Sequence, residues 1–319
     1  MGEFELIRNF CAAAPCAQGG EGVALGIGDD CALLELPPGE QLAVSTDTLV
    51  AGVHFPAVCD PHLLGQRALA VAASDLAAMG AQAIGFTLAL TLPDVGPHWL
   101  AAFADGLSRM AQRCRMSLIG GDTTRGPLSI TVTVFGHVPA GQALRRSGAR
   151  PGDLLCVGGA LGKAAGALPL VLGEREAPAD QAEPLLAHYW SPLPQLDLGL
   201  RLRGRATAAL DISDGLLADC GHIAKASGVA LEVNLAQVPV SPALEAFLGP
   251  EAAVQAALTG GDDYVLAFTL PAEVLSSLAD AGVHVIGRVR EGQGVTLRDA
   301  QGQDITPVQR GYQHFRETP

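Results

Sequence analysis

The chain has 319 residues, of which 49% are hydrophobic and 17% charged, a balance that supplies large apolar cores and argues against disorder. Its formal net charge is −13 and its only lysines are Lys163 and Lys225, so no basic stripe exists to neutralise a nucleic acid or an anionic membrane. A polyanion such as ATP could still bind, through cations or a local arginine cluster.

The first ten residues, MGEFELIRNF, carry two glutamates and one arginine and lack the basic start and apolar run of a secretory signal. Seven cysteines form no C-x-x-C pair, and their odd number fits reduced thiols in a cytoplasm. A short apolar run at 42–44 predicts the first strand. Asp60-Pro61 reads as an N-cap and first helical residue and Gly80 as the stop, so a helix of roughly five turns is expected between them. Between Arg67 and Asp94 the only ionisable side chain is Asp75, which superficially suggests a membrane span. Gly80 and Gly85 divide that stretch into a helix ending at Met79 and a strand over 84–92, and the span is rejected. Asp75 is then left on a largely apolar helix, where a carboxylate is costly unless paired or metal-bound.

Further strands are expected at 118–119, 130–138, 154–157, 206–210 and 265–270, with helices near 99–114, 162–172, 215–226 and 272–281. Such interleaving predicts an α/β fold with mixed sheets. The length exceeds what one core organises, and the Gly-, Pro- and Arg-rich segment 139–153 is the natural boundary, giving domains 1–140 and 141–319. The polar stretch 173–184 is expected to be a surface loop of the second domain.

Five segments share one grammar, an apolar run followed by small residues and aspartate. They are LGIGDD (25–30), AVSTD (43–47), LIGGD (118–122), AALDISD (208–214) and ALTGGDD (257–263). Each is expected to end a strand, where open α/β sheets bind ligands, and the acids could then converge. Converging carboxylates repel unless cations intervene. Oxygen donors without His or Cys select hard cations, with magnesium the natural partner of a nucleotide. Any one of these aspartates could be a turn or cap, and Ser213 or Asp214 could simply cap the helix beginning at Gly215. The glycine pairs at 120–121, 158–159 and 260–261 read as turns that let backbone approach phosphates. The string VGGALGKA around Lys163 fails the P-loop pattern, and no H-R-D with D-F-G occurs, so Walker-type and protein kinases are disfavoured.

The blocks GIGDDCALL, STDTLVAGVHF, ALAVAASDLAAMGA, GGDTTRGPLSITV, RRSGARPGD, DISDGL, GGDDY and GYQHF run in order over nearly the whole chain. In combination they resemble the thiamine-monophosphate kinases, whose fold is that of aminoimidazole ribonucleotide synthetase. That resemblance implies two domains, a homodimer pairing its N-terminal sheets, ATP bound between domains, and transfer of a phosphoryl group from ATP to thiamine monophosphate. It implies magnesium ions held by Asp30, Thr46, Asp47, Asp75, Asp122, Asp211 and Asp214, with Asp47, Asp75, Asp122 and Asp214 central to catalysis. Gly121, Asp122, Arg146 and Ser213 would contact ATP, and His54, Asp262 and Tyr312 would line the thiamine site. Read without the resemblance, Arg146 is a solvated turn residue, His54 a packed histidine and Tyr312 a tail anchor. Two positions depart from the family, Asp262 where Glu is usual and Gln313 where Asp is common. Rival readings are another synthetase of that superfamily, selenophosphate synthetase included, and a non-catalytic divalent-cation binder; ATP turnover with magnesium separates them.

Overall fold

The computed structural model describes residues 3–94 and 96–312, and divides into two compact units. The first comprises 1–76, 81–143 and 190–196; the second comprises 77–80, 144–189 and 197–319. Gln313 and the end of the GYQHF block lie outside the described residues.

In the first unit a short helix α1 (Glu3–Leu6) leads to a small ribbon of β1 (Val23–Leu25) and β2 (Leu33–Leu34). The main sheet runs β3 (Glu40–Val50), β6 (Ser129–Pro139), β4 (Gln82–Leu92) and β5 (Ser117–Arg125). β3, β6 and β4 pair antiparallel, while β5 joins β4 in parallel. Helix α2 (Pro61–Ala78) begins as expected, with the Asp60 carboxylate accepting the His62 N–H at 2.8 Å. It ends as expected too, with Gly80 at φ +62°. It packs closely on α3 (Pro97–Cys114) through Gly65 and Gly106: a Cβ on Gly106 would stand 1.9 Å from the His62 carbonyl oxygen, and one on Gly65 2.3 Å from the Phe103 carbonyl oxygen. No helix among the described residues is long and apolar enough to cross a membrane.

The second unit holds a six-stranded sheet ordered β12 (Gly294–Arg298), β9 (Ala230–Asn234), β11 (His284–Arg290), β7 (Leu154–Val157), β10 (Leu266–Leu270) and β8 (Ala208–Asp211). Every residue of β7, β8 and β10 is buried, which accounts for their continuous apolar runs. The helices are α4 (Lys163–Val171), α5 (Ala179–Trp190), α6 (Leu196–Leu202), α7 (Leu216–Ser227), α8 (Pro242–Leu248) and α9 (Pro250–Thr259).

Several expectations are corrected. The polar stretch 173–184 is not wholly a loop, because α5 starts within it and turns its polar residues outward while burying Leu185 and Tyr189. The helix expected at 272–281 is a 3₁₀ segment, Ala272–Leu278. Strands β9, β11 and β12 had no expectation; they are short, and at most half their residues are buried. The aspartates do not all end strands. Asp47 and Asp122 lie inside β3 and β5, the latter making Gly120-Gly121 a strand segment and not a turn, while Asp262-Asp263 follow helix α9.

Candidate metal and phosphate site

In the first unit, a cavity of about 490 Å³ is lined by Asp29, Asp30, Gly120, Gly121 and Asp122, with Ile7, Cys11 and Leu88 among its apolar walls. The structure thus brings together Asp30, Gly121 and Asp122, which the sequence separates by some ninety positions. A bulge prepares this wall: Phe86 pairs with Leu118 and Thr87 with Gly120, leaving Ile119 extra, and the local twist re-aims the residues that follow. Gly121 then sits at φ +154° against the Leu88 backbone.

On β3 the side chains alternate. Thr46 and Thr48 lie on the exposed face, their hydroxyls 2.9 Å from those of Thr133 and Thr131, while Ser45, Asp47 and Leu49 point to the other face. The Thr46 side chain is therefore not on the Asp47 face, and the structure does not group the two hydroxyl and carboxylate donors. Ser45 donates its hydroxyl to the Asp75 carboxylate of α2, a partner that sequence reasoning missed. Its only sequence signal was its place two residues before Asp47. His54, past the end of β3, uses Nδ1 to accept the Val50 N–H at 3.0 Å, so that nitrogen is engaged within its own turn.

The second unit gathers Asp211, Ser213, Asp214, Asp262 and Tyr312. The loop from β8 to α7 and the GGDDY loop are stitched by backbone bonds, Asp262 N–H to Ser213 O at 2.8 Å and Tyr264 N–H to Ile212 O at 2.8 Å. Tyr312 N–H reaches Asp214 O at 2.9 Å. Asp262 and Tyr264 both hold left-handed backbone, at φ +67° and +51°, and the Tyr264 hydroxyl donates to Asp262 Oδ1 at 2.8 Å. Non-glycine residues keep such conformations only where neighbours over-determine them, and here three hydrogen bonds do so. Arg146 is exposed, its carbonyl receiving the Ser227 hydroxyl at 3.2 Å.

Neither Ser213 nor Asp214 caps α7. Its N-cap is Gly215, and the amides of Ser213, Asp214 and Gly215 just before the helix are taken by Asp219, a residue the sequence reading passed over. Burial, with Asp214 and Asp211 adding like charge, pushes the Asp219 carboxyl up to about 7 against the amide bonds that pull it down. Oxygen or nitrogen atoms of Asp214, Asp219 and His222 all lie within 4.8 Å of one another. The Lys163 loop follows the same plan: buried Asp263 accepts the Gly162 N–H at 2.6 Å at the start of α4. An internal carboxylate thus engages the amide at the start of this helix, in a string whose residues do not match the P-loop pattern.

The donors suit a hard cation. Asp30 and Asp122 offer oxygen to the cavity, the donor type that hard cations take.

The sequence model of the AIR synthase related protein N-terminal domain matches residues 28–138, and that of the C-terminal domain matches 150–300. Thiamine-monophosphate kinase of Escherichia coli K12 is 45% identical over 98% of both chains. The chain belongs to the thiamine-monophosphate kinase family. The family relative from Haemophilus influenzae is 39% identical over 100% of this chain and 99% of its own. The crystal structure of thiamine-monophosphate kinase from Stenotrophomonas maltophilia K279a has a TM-score of 0.82 at 48% identity, covering 87% of this chain and 91% of that one. AaThiL complexed with AMPPCP and TMP has a TM-score of 0.80 at 31% identity, covering 88% and 89%. The hydrogenase maturation protein HypE, at 20% identity and a TM-score of 0.77, shares the fold.

Proposed function

We propose that this protein phosphorylates thiamine monophosphate to thiamine diphosphate with ATP as donor, by direct in-line transfer. The observation that carries the reading is 45% identity to the Escherichia coli enzyme across the full length. A neighbour of the same fold that takes both AMPPCP and TMP supports the two substrates. The acceptor phosphate is itself mostly dianionic at neutral pH, so the chain need supply neither nucleophile nor general base. The work left is electrostatic, since two polyanions must be held together.

Asp30, Asp47, Asp75 and Asp122 of the first unit, and Asp211 and Asp214 of the second, would hold magnesium, with Thr46 contributing other than through the Asp47 face. Bound there, magnesium supplies positive charge to the phosphates and to the transferring group. The cavity shared by Asp30, Gly121 and Asp122 supports phosphate placement in the first unit. Arg146 and Ser213 would contact ATP, and His54, Asp262 and Tyr312 the acceptor. Domain 1–140 would carry the metal-rich cavity and dimerisation, and 141–319 the remaining ATP and acceptor residues. A homodimer is supported by the outer strand β3, which exposes Leu42 and Val44 at 48% and 53% on an unpaired sheet edge. A cytoplasmic location fits an ATP-using enzyme with seven free thiols.

The test is direct. Protein, ATP, magnesium and thiamine monophosphate should give thiamine diphosphate on chromatography. No product, with ATP consumed when other acceptors are supplied, would move the protein to another activity of the superfamily.

A further inference from the structure

Asp219 stands one turn into α7 and is only 4% exposed. Its Oδ2 receives three consecutive backbone amides, Ser213 N–H at 3.1 Å, Asp214 N–H at 3.0 Å and Gly215 N–H at 3.0 Å. In return the Asp219 N–H donates to Gly215 O at 2.9 Å. Three successive amides converging on one oxygen form an anion nest, the arrangement that elsewhere binds a phosphate. Here it is filled from within. The loop's amides are therefore withdrawn from substrate, and what the loop presents outward is its side chains. Gly215 makes the geometry possible: at φ +122° its missing Cβ would stand 2.9 Å from the Thr259 carbonyl.

We infer that Asp219 is a positioning residue, which fixes the Ser213-Asp214-Gly215 backbone so that the Asp214 carboxylate and Ser213 hydroxyl are preorganised toward metal and nucleotide. The inference rests on the proposed role of Asp214 and Ser213, and it assigns Asp219 to the loop rather than to the ion. The two roles separate by chemistry. A nest needs an acceptor oxygen of the right reach, which Asn retains in weakened form and Ala removes; a metal ligand of this kind needs the charge, which Asn and Ala lose alike. Preorganisation acts on the transition state, so its loss falls on kcat and spares the acceptor KM.

The experiment compares wild type, Asp219→Asn and Asp219→Ala by two readouts, hydrogen exchange of the peptide spanning 211–220 in metal-free protein, and kcat with KM for thiamine monophosphate. The expected result is a graded series. Exchange at 213–215 quickens by at least about tenfold in Asp219→Ala and less in Asp219→Asn. In the same order kcat falls, by about a hundredfold or more in Asp219→Ala, with the acceptor KM within about twofold. Asn as damaging as Ala with exchange unchanged would overturn the inference and make Asp219 a ligand. Unchanged exchange in both variants would also overturn it. If Asp219→Ala does not fold, Asp219→Asn decides alone: faster exchange with lower kcat supports the nest, and native exchange removes it. Failure of wild type to phosphorylate thiamine monophosphate would refute the assigned function, while the exchange readout, which needs neither metal nor substrate, would still test the anchor.

Discussion

Gly120 and Gly121 are neighbours in one strand, yet the structure predicts opposite fates for their alanine variants. A Cβ on Gly121 would lie 2.0 Å from the Leu88 carbonyl oxygen and 2.8 Å from its carbon, both main-chain atoms of β4 that no rotamer can clear. Since real Cβ contacts stay beyond 3.0 Å, the strands must part by about 1 Å or more. The backbone at φ +154° adds strain of about 1–3 kcal/mol for any L side chain, and a loosened ladder bond costs about 1 more. The sum, about 2–4 kcal/mol, lowers Tm by roughly 4–16 °C for a unit of this size. Asp122 follows immediately, so the same displacement moves a carboxylate of the cavity, and a misplacement of about 1 Å costs roughly a hundredfold in turnover. At Gly120 the added methyl would meet only Thr87 Cγ2, at 3.6 Å, an ordinary contact. Gly120→Ala should therefore stay within about 0.5 kcal/mol of wild type. Thermal unfolding and thiamine diphosphate formation are measured on both variants. Equal behaviour of the pair, or a Gly121→Ala protein with native Tm and turnover, would refute the argument from strand approach.

Asp47→Asn, Asp75→Asn and Asp122→Asn should each cut turnover by about a hundredfold or more with the fold intact by circular dichroism, and near-native rates in two of them would dismantle the metal cluster. Excess chelator should abolish activity and Mg²⁺ or Mn²⁺ restore it, whereas rescue by Zn²⁺ alone would contradict an oxygen-donor site. Asp262→Asn should raise the acceptor KM several-fold while Asp262→Glu stays active; because Asp262 is left-handed at φ +67°, Asn tests the charge without the backbone strain that Ala would add. An unchanged KM would take Asp262 out of the acceptor site. At pH 8 a thiol reagent should label Cys31 first, because it is exposed, whereas burial pushes Cys114 and Cys156 up to about 12; labelling should slow with Mg-ATP, since Cys31 lines the cavity of Asp30 and Asp122. Fast modification of Cys114 or Cys156 would count against the packing described.

Much of this protein was legible in the residues alone. Asp60-Pro61 and Gly80 carry the limits of α2 in their own chemistry, because caps act within one turn. The continuous apolar runs at 154–157 and 265–270 declared strands, and the ordered blocks from GIGDD to GGDDY declared the family. What sequence could not settle was which neighbours share a face. Thr46 and Asp47 are adjacent in the chain and opposite on the strand, and Ser45 meets Asp75 thirty residues away only because α2 lies over β3. Asp219 drew no reading of its own in the sequence, and its three amide partners exist only once Gly215 turns the backbone back on it. Propensity and capping are local and survive in one dimension. The pairing of an aspartate with a hydroxyl or an amide depends on a pleat, a bulge at Ile119 and a left-handed turn, which tertiary contacts decide.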